Sequence, residues 1–146
     1  MLKHILTSQR GMTLIEIIVV ITIMAIIASL AGTQVINRLE DAKISTTKTQ
    51  MKTLQQALEM YKADNDYYPT TEQGLEALIQ TPTTGNVPQN YPTGGYIDKK
   101  KLPVDGWGAP FTYLSENGEA FTLISYGKDK KEGGTGRAAD ISSDDL

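Results

Sequence analysis

Residues 11–32 read GMTLIEIIVVITIMAIIASLAG, and this apolar run decides the organisation of the chain. Between Met12 and Ala31 the only charged side chain is that of Glu16. About 20 apolar residues are just enough for an α-helix to cross a bilayer. A carboxylate inside such a run is energetically unfavourable and usually has a specific partner. The run therefore predicts a transmembrane helix that has a further role besides anchoring the chain. Glu16 is expected to take part in that role.

Composition excludes several classes of function. A chain of 146 residues predicts one domain plus the anchor. The net charge of −3 argues against a nucleic-acid-binding face, which needs a basic stripe. The sequence has no cysteine, which excludes disulfides, zinc–thiolate sites and a thiol nucleophile. The single histidine, His4, precedes the apolar run, so the usual Ser-His-Asp and His-metal centres are not expected beyond it.

The residues that flank the run predict its orientation in the membrane. Lys3 and Arg10 precede it, and the next basic residue is Arg38. This asymmetry predicts a cytoplasmic N-terminus and an exported remainder. An ordinary secretory signal peptide is the alternative, since residues 29–31 offer a small-residue cleavage site. The run is longer than the ~7–15 residues of an ordinary signal peptide and contains a carboxylate, and both features argue against that alternative.

Residues 11–16, GMTLIE, resemble the processing site of type IV prepilins. The resemblance implies that a prepilin peptidase cuts after Gly11, that the same enzyme methylates Met12, and that Glu16 is the family's assembly carboxylate. Phenylalanine is usual at the position of Met12. The new terminal amine lies more than a helical turn from its own Glu16, so a neighbouring subunit's Glu16 is the better partner. The alternative is that Glu16 reaches towards the cytoplasmic headgroups.

The helix is expected to continue beyond the membrane. Residues 34–62 contain neither proline nor glycine. Apolar side chains recur there at helical spacing, which predicts one buried face: Val35, Leu39, Ala42, Met51, Leu54, Leu58 and Tyr61. The second half of this helix should therefore pack on a small domain.

The remaining residues predict a small domain with one short helix and a β-hairpin. Thr70 and Gln73 form a capping-box pattern, which predicts a helix to about Gln80. Residues 111–115 and 120–125 alternate apolar and polar side chains on either side of an Asn-Gly pair, as hairpin strands do. Trp107, in a glycine-rich turn, is interpreted as a core residue.

The last loop, residues 126–141, is rich in glycine and has Asp129 and Asp140 near its ends. Calcium binds six to eight oxygen atoms from carboxylates and carbonyls, and glycine lets backbone carbonyls turn inward. The pattern is not that of an EF-hand, because Lys131 and Gly133 stand where that loop needs side-chain oxygens. Spacing alone leaves a calcium site and a plain solvated loop both open.

Three stretches resemble the major pseudopilins of type II secretion systems, the protein G family of the type IV pilin-like superfamily. They are YYPTTEQGLEAL at 67–78, DGWGAPF at 105–111, and the loop from SYGKD to ADI at 125–141. The resemblance implies one structural calcium ion in that loop. The ligands it implies are the side chains of Asp129 and Asp140 and the carbonyls of Tyr126 and Lys131. The tail after Ile141 departs from the family's usual sequence, so Asp144 or Asp145 could also substitute.

The fold class expected is α+β and type IV pilin-like, with a long N-terminal helix packed on a small domain that has a short helix and an antiparallel sheet. Four segments are expected along the chain: a cleaved leader at 1–11, a transmembrane and fibre-core helix at 12–33, the amphipathic half of the same helix at 34–63, and a periplasmic globular domain at 64–146 that contains the calcium loop at 126–141.

The resemblance implies a structural subunit and not an enzyme. The subunit would polymerise with itself into the periplasmic pseudopilus of a type II secretion system, which drives folded proteins across the outer membrane. Its other partners would be minor pseudopilins, an inner-membrane assembly platform and the prepilin peptidase/N-methyltransferase. The implied location is the inner membrane, single-pass, with the domain in the periplasm.

Two other classes of protein were considered. A type IV pilin for adhesion, motility or DNA uptake is the alternative function, but such pilins commonly have a C-terminal disulfide and this chain has no cysteine. A membrane-anchored periplasmic enzyme would have only carboxylate chemistry available, and the sequence contains no close carboxylate pair that suggests it.

Overall fold

The structure is a computed structural model, and it describes residues 11–98 and 101–146. Most of the expected leader, residues 1–10, and the lysines at 99–100 lie outside the described residues. The longest element is helix α1, Leu14–Asn65, of 52 residues. It ends where Asp66 adopts a left-handed backbone, with φ of 69°, and donates its N–H to the Lys62 carbonyl over 2.7 Å. The Asn65 side chain donates to the Tyr61 carbonyl over 2.8 Å and satisfies another terminal acceptor.

The chain divides into two units, residues 1–38 and 39–146. The described part of the first unit is helical from Leu14 onward. Its apolar side chains are exposed, among them Leu14 at 81% and Ile27 at 61%. By length and composition α1 can cross a membrane, with a mean hydropathy of 2.8 in its most apolar window. In water this surface would be a large unpartnered apolar patch, so it requires lipid or protein around it.

The second unit has one hydrophobic core, and α1 supplies its central side chains. Met51, Leu54, Leu58 and Tyr61 are all 0% exposed, as their helical spacing predicts. The expected continuation of this buried face towards the N-terminus was wrong. Val35 and Leu39 are 59% and 57% exposed, and Ala42 is exposed, because no described residue covers that part of the helix.

Three short antiparallel strands face the helix in the order β1-β2-β3: Thr112–Leu114, Thr122–Ser125 and Ile141–Ser142. Tyr113 lies opposite Leu123, and Ser125 lies opposite Ile141. This register places Tyr113, Leu123 and Ile141 in the core, because alternate residues of a strand point to one face. The hairpin expected from residues 111–125 is confirmed.

The segment after α1 contains the expected capping box but a shorter helix than predicted. The backbone N–H of Thr70 donates to the Gln73 side chain over 3.0 Å, and the Gln73 N–H donates back to the Thr70 hydroxyl over 3.4 Å. Gly74 then takes a φ of +64°, which interrupts α-helical geometry. Only a 3₁₀ helix follows, Leu75–Leu78, and the prediction of a helix to Gln80 was therefore too long.

Tyrosines fill the end of the core where α1 meets the following loops. The Tyr61 ring lies 5.2 Å from that of Tyr96 and 6.1 Å from that of Tyr67, measured between centroids. The Tyr61 hydroxyl is buried and finds no hydrogen-bond partner in the part of the chain that the structure describes, and burial raises the pKa of Tyr61. By contrast, the buried Tyr113 hydroxyl donates to the Pro69 carbonyl over 2.6 Å.

Candidate functional site

The predicted processing site lies directly before the start of α1. Gly11, Met12 and Thr13 are not helical and are exposed, and Met12 is 72% exposed. Among the described residues, no atom lies within 4 Å of a Cβ atom added at Gly11. Packing in the described part of the chain therefore gives no reason for glycine at this position.

Glu16 closes the first turn of α1 through a capping box with Thr13. The Glu16 carboxylate accepts from the Thr13 N–H over 2.7 Å and from the Thr13 hydroxyl over 3.0 Å. The Glu16 N–H donates back to the Thr13 hydroxyl over 3.3 Å. The sequence-based interpretation considered partners outside the helix and missed this local one, although the spacing Thr-x-x-Glu indicates it.

The predicted calcium loop, residues 126–141, is held by its own carboxylates. Asp129 accepts from the Lys131 N–H over 3.2 Å near the start of the loop. Asp140 accepts from the Gly133 N–H over 2.8 Å through its Oδ2 atom, and its own N–H donates to the Gly133 carbonyl over 3.2 Å. The other carboxylate oxygen, Oδ1 of Asp140, is buried and has no hydrogen-bond partner among the described residues. A buried anionic oxygen in this state lacks the compensation that a cation would give.

The backbone of this loop turns back on itself. Gly133 and Gly134 have φ angles of 96° and 90°, which favour glycine. A Cβ atom at Gly134 would overlap the Ala138 carbonyl group, at 2.9 Å from its carbon. Within the residues that the structure describes, no group of three or more His, Cys, Asp or Glu side chains is placed to hold a metal. A metal in this loop therefore needs backbone carbonyls, as calcium accepts and zinc does not.

The other predicted ligands belong to the same loop but differ in exposure. Tyr126, half-buried, follows strand β2, and Lys131 is exposed. Asp144, named as a possible substitute, is exposed; its carboxylate accepts from the Ser143 hydroxyl over 3.3 Å. The structure thus gives Asp140 the clearest ligand-like environment and leaves the assignment of the remaining ligands a prediction.

The turn at 105–108, DGWG, is fixed by one buried carboxylate. Asp105 is 4% exposed, and its Oδ1 accepts from the N–H groups of Trp107 and Ala109 over 3.0 and 2.7 Å. Its Oδ2 accepts from the Ser125 hydroxyl over 2.8 Å. Asp105 thereby joins the turn to the end of strand β2.

The same turn contacts the backbone of α1. The Gly106 N–H donates to the hydroxyl of the fully buried Thr47 over 2.9 Å. A Cβ atom at Gly106 would overlap the carbonyl of Lys43 and lie 2.8 Å from its Cα. Only glycine permits this approach, and no sequence pattern indicated that the turn and α1 meet.

Two acidic residues of α1 bind the last loop, and sequence reasoning missed both. Glu40, 9% exposed, accepts from the indole Nε1 of Trp107 over 3.2 Å and pairs with Lys128 over 3.3 Å. The hydrogen bond from Trp107 holds the pKa of Glu40 below its usual value, and Lys128 acts in the same direction. Asp41 pairs with the guanidinium of Arg137 over 2.9 Å, which raises the pKa of Arg137.

Comparisons with known proteins identify the family of the chain. The family model described as "Type II secretion system (T2SS), protein G" matches residues 34–144, and the "Prokaryotic N-terminal methylation motif" matches residues 6–32. A curated relative from Pseudomonas aeruginosa, "Type II secretion system core protein G", is 48% identical over 137 residues, covering 93% of this chain and 95% of the relative. A relative of the same name from Vibrio cholerae is 43% identical, covering 93% of this chain and 92% of its own length.

A solved structure extends the similarity to three dimensions. The major pseudopilin of the type 2 secretion system of enterohaemorrhagic Escherichia coli matches with a TM-score of 0.64 at 33% identity, covering 76% of this chain and 94% of that chain. The expected type IV pilin-like α+β fold is confirmed, and the names of the relatives favour a secretion subunit over the alternative of a type IV pilin. The chain belongs to the protein G family of type II secretion systems.

Proposed function

We propose that this protein is the major pseudopilin of a type II secretion system and polymerises with itself into a periplasmic fibre. The observation that carries the proposal is the first unit, a helix whose apolar side chains are exposed and whose single carboxylate stands at its N-terminal end. Each such side chain gains ~1.5–3 kcal/mol when it is removed from water. The helix is therefore stable only in a bilayer or among the helices of other copies.

Processing at Gly11 would prepare the helix to pack among the helices of other copies. Cleavage removes Lys3 and Arg10 and leaves a cationic amine at Met12, directly before Thr13 and the capped turn. The amine of one subunit is a natural partner for Glu16 of the next, because opposite charges attract strongly where water is excluded. A buried ion pair of this kind fixes the register of neighbouring helices more than it adds stability.

The location and partners follow from this assignment. The subunit enters the inner membrane with its N-terminus in the cytoplasm and residues 64–146 in the periplasm. The prepilin peptidase processes and methylates it, the inner-membrane assembly platform inserts it into the fibre, and minor pseudopilins join the same fibre. Growth of the fibre then moves folded proteins towards the outer membrane.

Calcium is the structural ion proposed for the loop at 126–141. The buried Oδ1 of Asp140, without a partner among the described residues, and the close approach of the Ala138 carbonyl to Gly134 support it. Asp129 and the carbonyls of Tyr126 and Lys131 would complete the oxygen donors. The ion would neutralise the carboxylates and hold the ends of the loop together, which is a structural role.

Polymerisation is tested with Glu16→Ala, compared with Glu72→Ala, which removes an exposed carboxylate of the domain. Both variants should insert into the inner membrane, because Glu16→Ala makes the apolar run more apolar and Glu72 lies outside that run. Glu16→Ala should yield no sedimentable fibres on overproduction, whereas Glu72→Ala should yield them as the wild type does. Normal fibres from Glu16→Ala would refute the register role.

Processing is tested by N-terminal sequencing of the mature protein. A methylated Met12 at the N-terminus is expected. A mature protein that begins at Gly32 would instead identify an ordinary signal peptide, and the helix would then be absent from any fibre.

The calcium site is tested by the melting temperature of the protein in calcium and in chelator. We expect calcium to raise it, because a ligand that binds only the folded state stabilises that state. Asp140→Asn should abolish the response, whereas Asp98→Asn, at an exposed carboxylate in another loop, should retain it. A wild-type protein that ignores the chelator has no such site.

A further inference from the structure

Five side chains connect α1 with the last loop and the turn at 105–108, and together they are called the helix clasp: Glu40, Asp41, Trp107, Lys128 and Arg137. Lys128 and Arg137 lie inside the loop and bind consecutive residues of α1. Lys128 directly precedes the predicted calcium ligand Asp129. Any ligand that fixes the carboxylates of the loop therefore also fixes the backbone from which the two cationic side chains of the clasp extend.

Part of the clasp is shielded from water, so its ion pairs and hydrogen bond depend on the relative positions of its side chains. The Glu40 side chain is 11% exposed, and it accepts from the indole and from Lys128 at once. A carboxylate so placed tolerates the loss of its partners poorly, because water cannot fully replace them. The Asp41–Arg137 pair is half exposed and acts as a planar, directional contact at the far end of the loop.

A second connection runs from the start of the loop to the same part of α1. The Gly127 N–H donates to the Ser125 hydroxyl over 3.2 Å, and that hydroxyl donates to Asp105 over 2.8 Å. The neighbouring Gly106 donates to Thr47 on α1. The loop therefore meets α1 between residues 40 and 47 by two routes, one mainly through ion pairs and one through hydrogen bonds of the turn at 105–108.

From this arrangement we propose that the helix clasp couples a divalent cation in the loop to the docking of α1 residues 40–47, so that each stabilises the other. The proposal rests on the calcium site proposed above and adds the residues that transmit its effect. Binding free energies between two coupled sites are reciprocal: if calcium strengthens the clasp, the clasp strengthens calcium binding by the same factor.

Long-range electrostatics without coupling makes a different prediction for calcium affinity, so an experiment can distinguish the two explanations. Removing the negative charge of Glu40 would weaken binding of a cation by long-range attraction alone. Removing the positive charge of Arg137 would strengthen it, because like charges repel. Coupling through the clasp predicts weaker binding for both variants.

The test uses the full chain in detergent, with calcium alone as the probe. Calorimetry measures the calcium affinity of wild type, Glu40→Gln and Arg137→Gln. Trp107, the only tryptophan of the chain, reports on the clasp through its fluorescence. Matched controls are Glu72→Gln and Lys48→Gln, which remove one charge of each sign from exposed side chains outside the clasp.

We expect calcium to shift the Trp107 emission of wild type and of both controls. Both clasp variants should bind calcium at least about fivefold more weakly, the lower end of typical coupling between sites. Their Trp107 emission should no longer follow calcium. Far-UV circular dichroism confirms that they are folded, and Arg137→Gln serves as the milder variant because its side chain is half exposed.

Two results would overturn the proposal, and they are distinguishable. Wild-type affinity in both clasp variants, or tighter binding by Arg137→Gln, would show that the clasp transmits nothing. A wild-type protein that binds no calcium would overturn the metal site itself, and the coupling with it.

Discussion

Replacing Tyr61 by phenylalanine should stabilise the protein. The Tyr61 side chain is 0% exposed, and its hydroxyl has no hydrogen-bond partner among residues 11–98 and 101–146. A buried hydroxyl without a partner destabilises the folded state by ~1–3 kcal/mol. Phenylalanine keeps the ring and its contacts with Tyr96 and Tyr67 but leaves a small gap, which offsets part of the gain. The expected net gain is about 1 kcal/mol, or a rise of about 4 °C in the melting temperature.

Tyr113→Phe is the matched control, because Tyr113 is buried but its hydroxyl donates to the buried Pro69 carbonyl over 2.6 Å. Removal of the Tyr113 hydroxyl should destabilise the protein by ~1–3 kcal/mol, because the buried Pro69 carbonyl loses this hydrogen bond. The measurement is thermal unfolding of both full-length variants in the same detergent, followed by near-UV circular dichroism. A loss of 1 kcal/mol or more on Tyr61→Phe would refute the reasoning, since it would reveal an ordered water or another partner for the hydroxyl.

Three further predictions concern packing and pH. Leu58→Ala, at a fully buried position, should lower the free energy of unfolding in urea by about 2–5 kcal/mol. Met60→Ala, on the exposed face of α1 with 57% exposure, should change it by about 0.5 kcal/mol at most. Gly106→Ala should destabilise by ~1–3 kcal/mol through overlap with the α1 backbone, and Gly94→Ala, with open space around it, should not; equal stability of both variants would contradict the close approach. Burial raises the pKa of Tyr113 to about 12 above its usual 10, so the stability it contributes is complete below pH 10 and is lost as the pH rises towards 12; phenolate absorbance and unfolding curves, compared with Tyr113→Phe, measure this loss.

Local patterns predicted much of the fold. The capping box of Thr70 and Gln73, the hairpin around Gly118 and the core face of α1 all depend on residues a few positions apart. Local hydrogen bonds and helical periodicity suffice to indicate them. The same local reasoning would have found the Thr13–Glu16 capping box had its spacing been considered.

Long-range contacts could not be predicted in this way. Glu40 is an exposed helical acid by pattern, and only the fold brings Trp107 and Lys128 to it. Thr47 looks like a surface residue of α1, yet it is fully buried where the turn at 105–108 meets the helix. The apolar spacing of Val35 predicted burial, but periodicity gives the direction of a face and not whether anything covers it.

The capping box at the start of α1 has a consequence for how a fibre comes apart. In a free subunit the Glu16 carboxylate already accepts hydrogen bonds from the N–H and the hydroxyl of Thr13. In the proposed fibre, the amine of a neighbour replaces those donors, and the attraction between subunits is the difference between two satisfied states. When a subunit leaves the fibre, the hydrogen bonds between Thr13 and Glu16 form again as the ion pair with the neighbouring amine is lost. This exchange of partners lowers the energetic cost of withdrawing one subunit from such a fibre, because the Glu16 carboxylate keeps hydrogen-bond donors in both states.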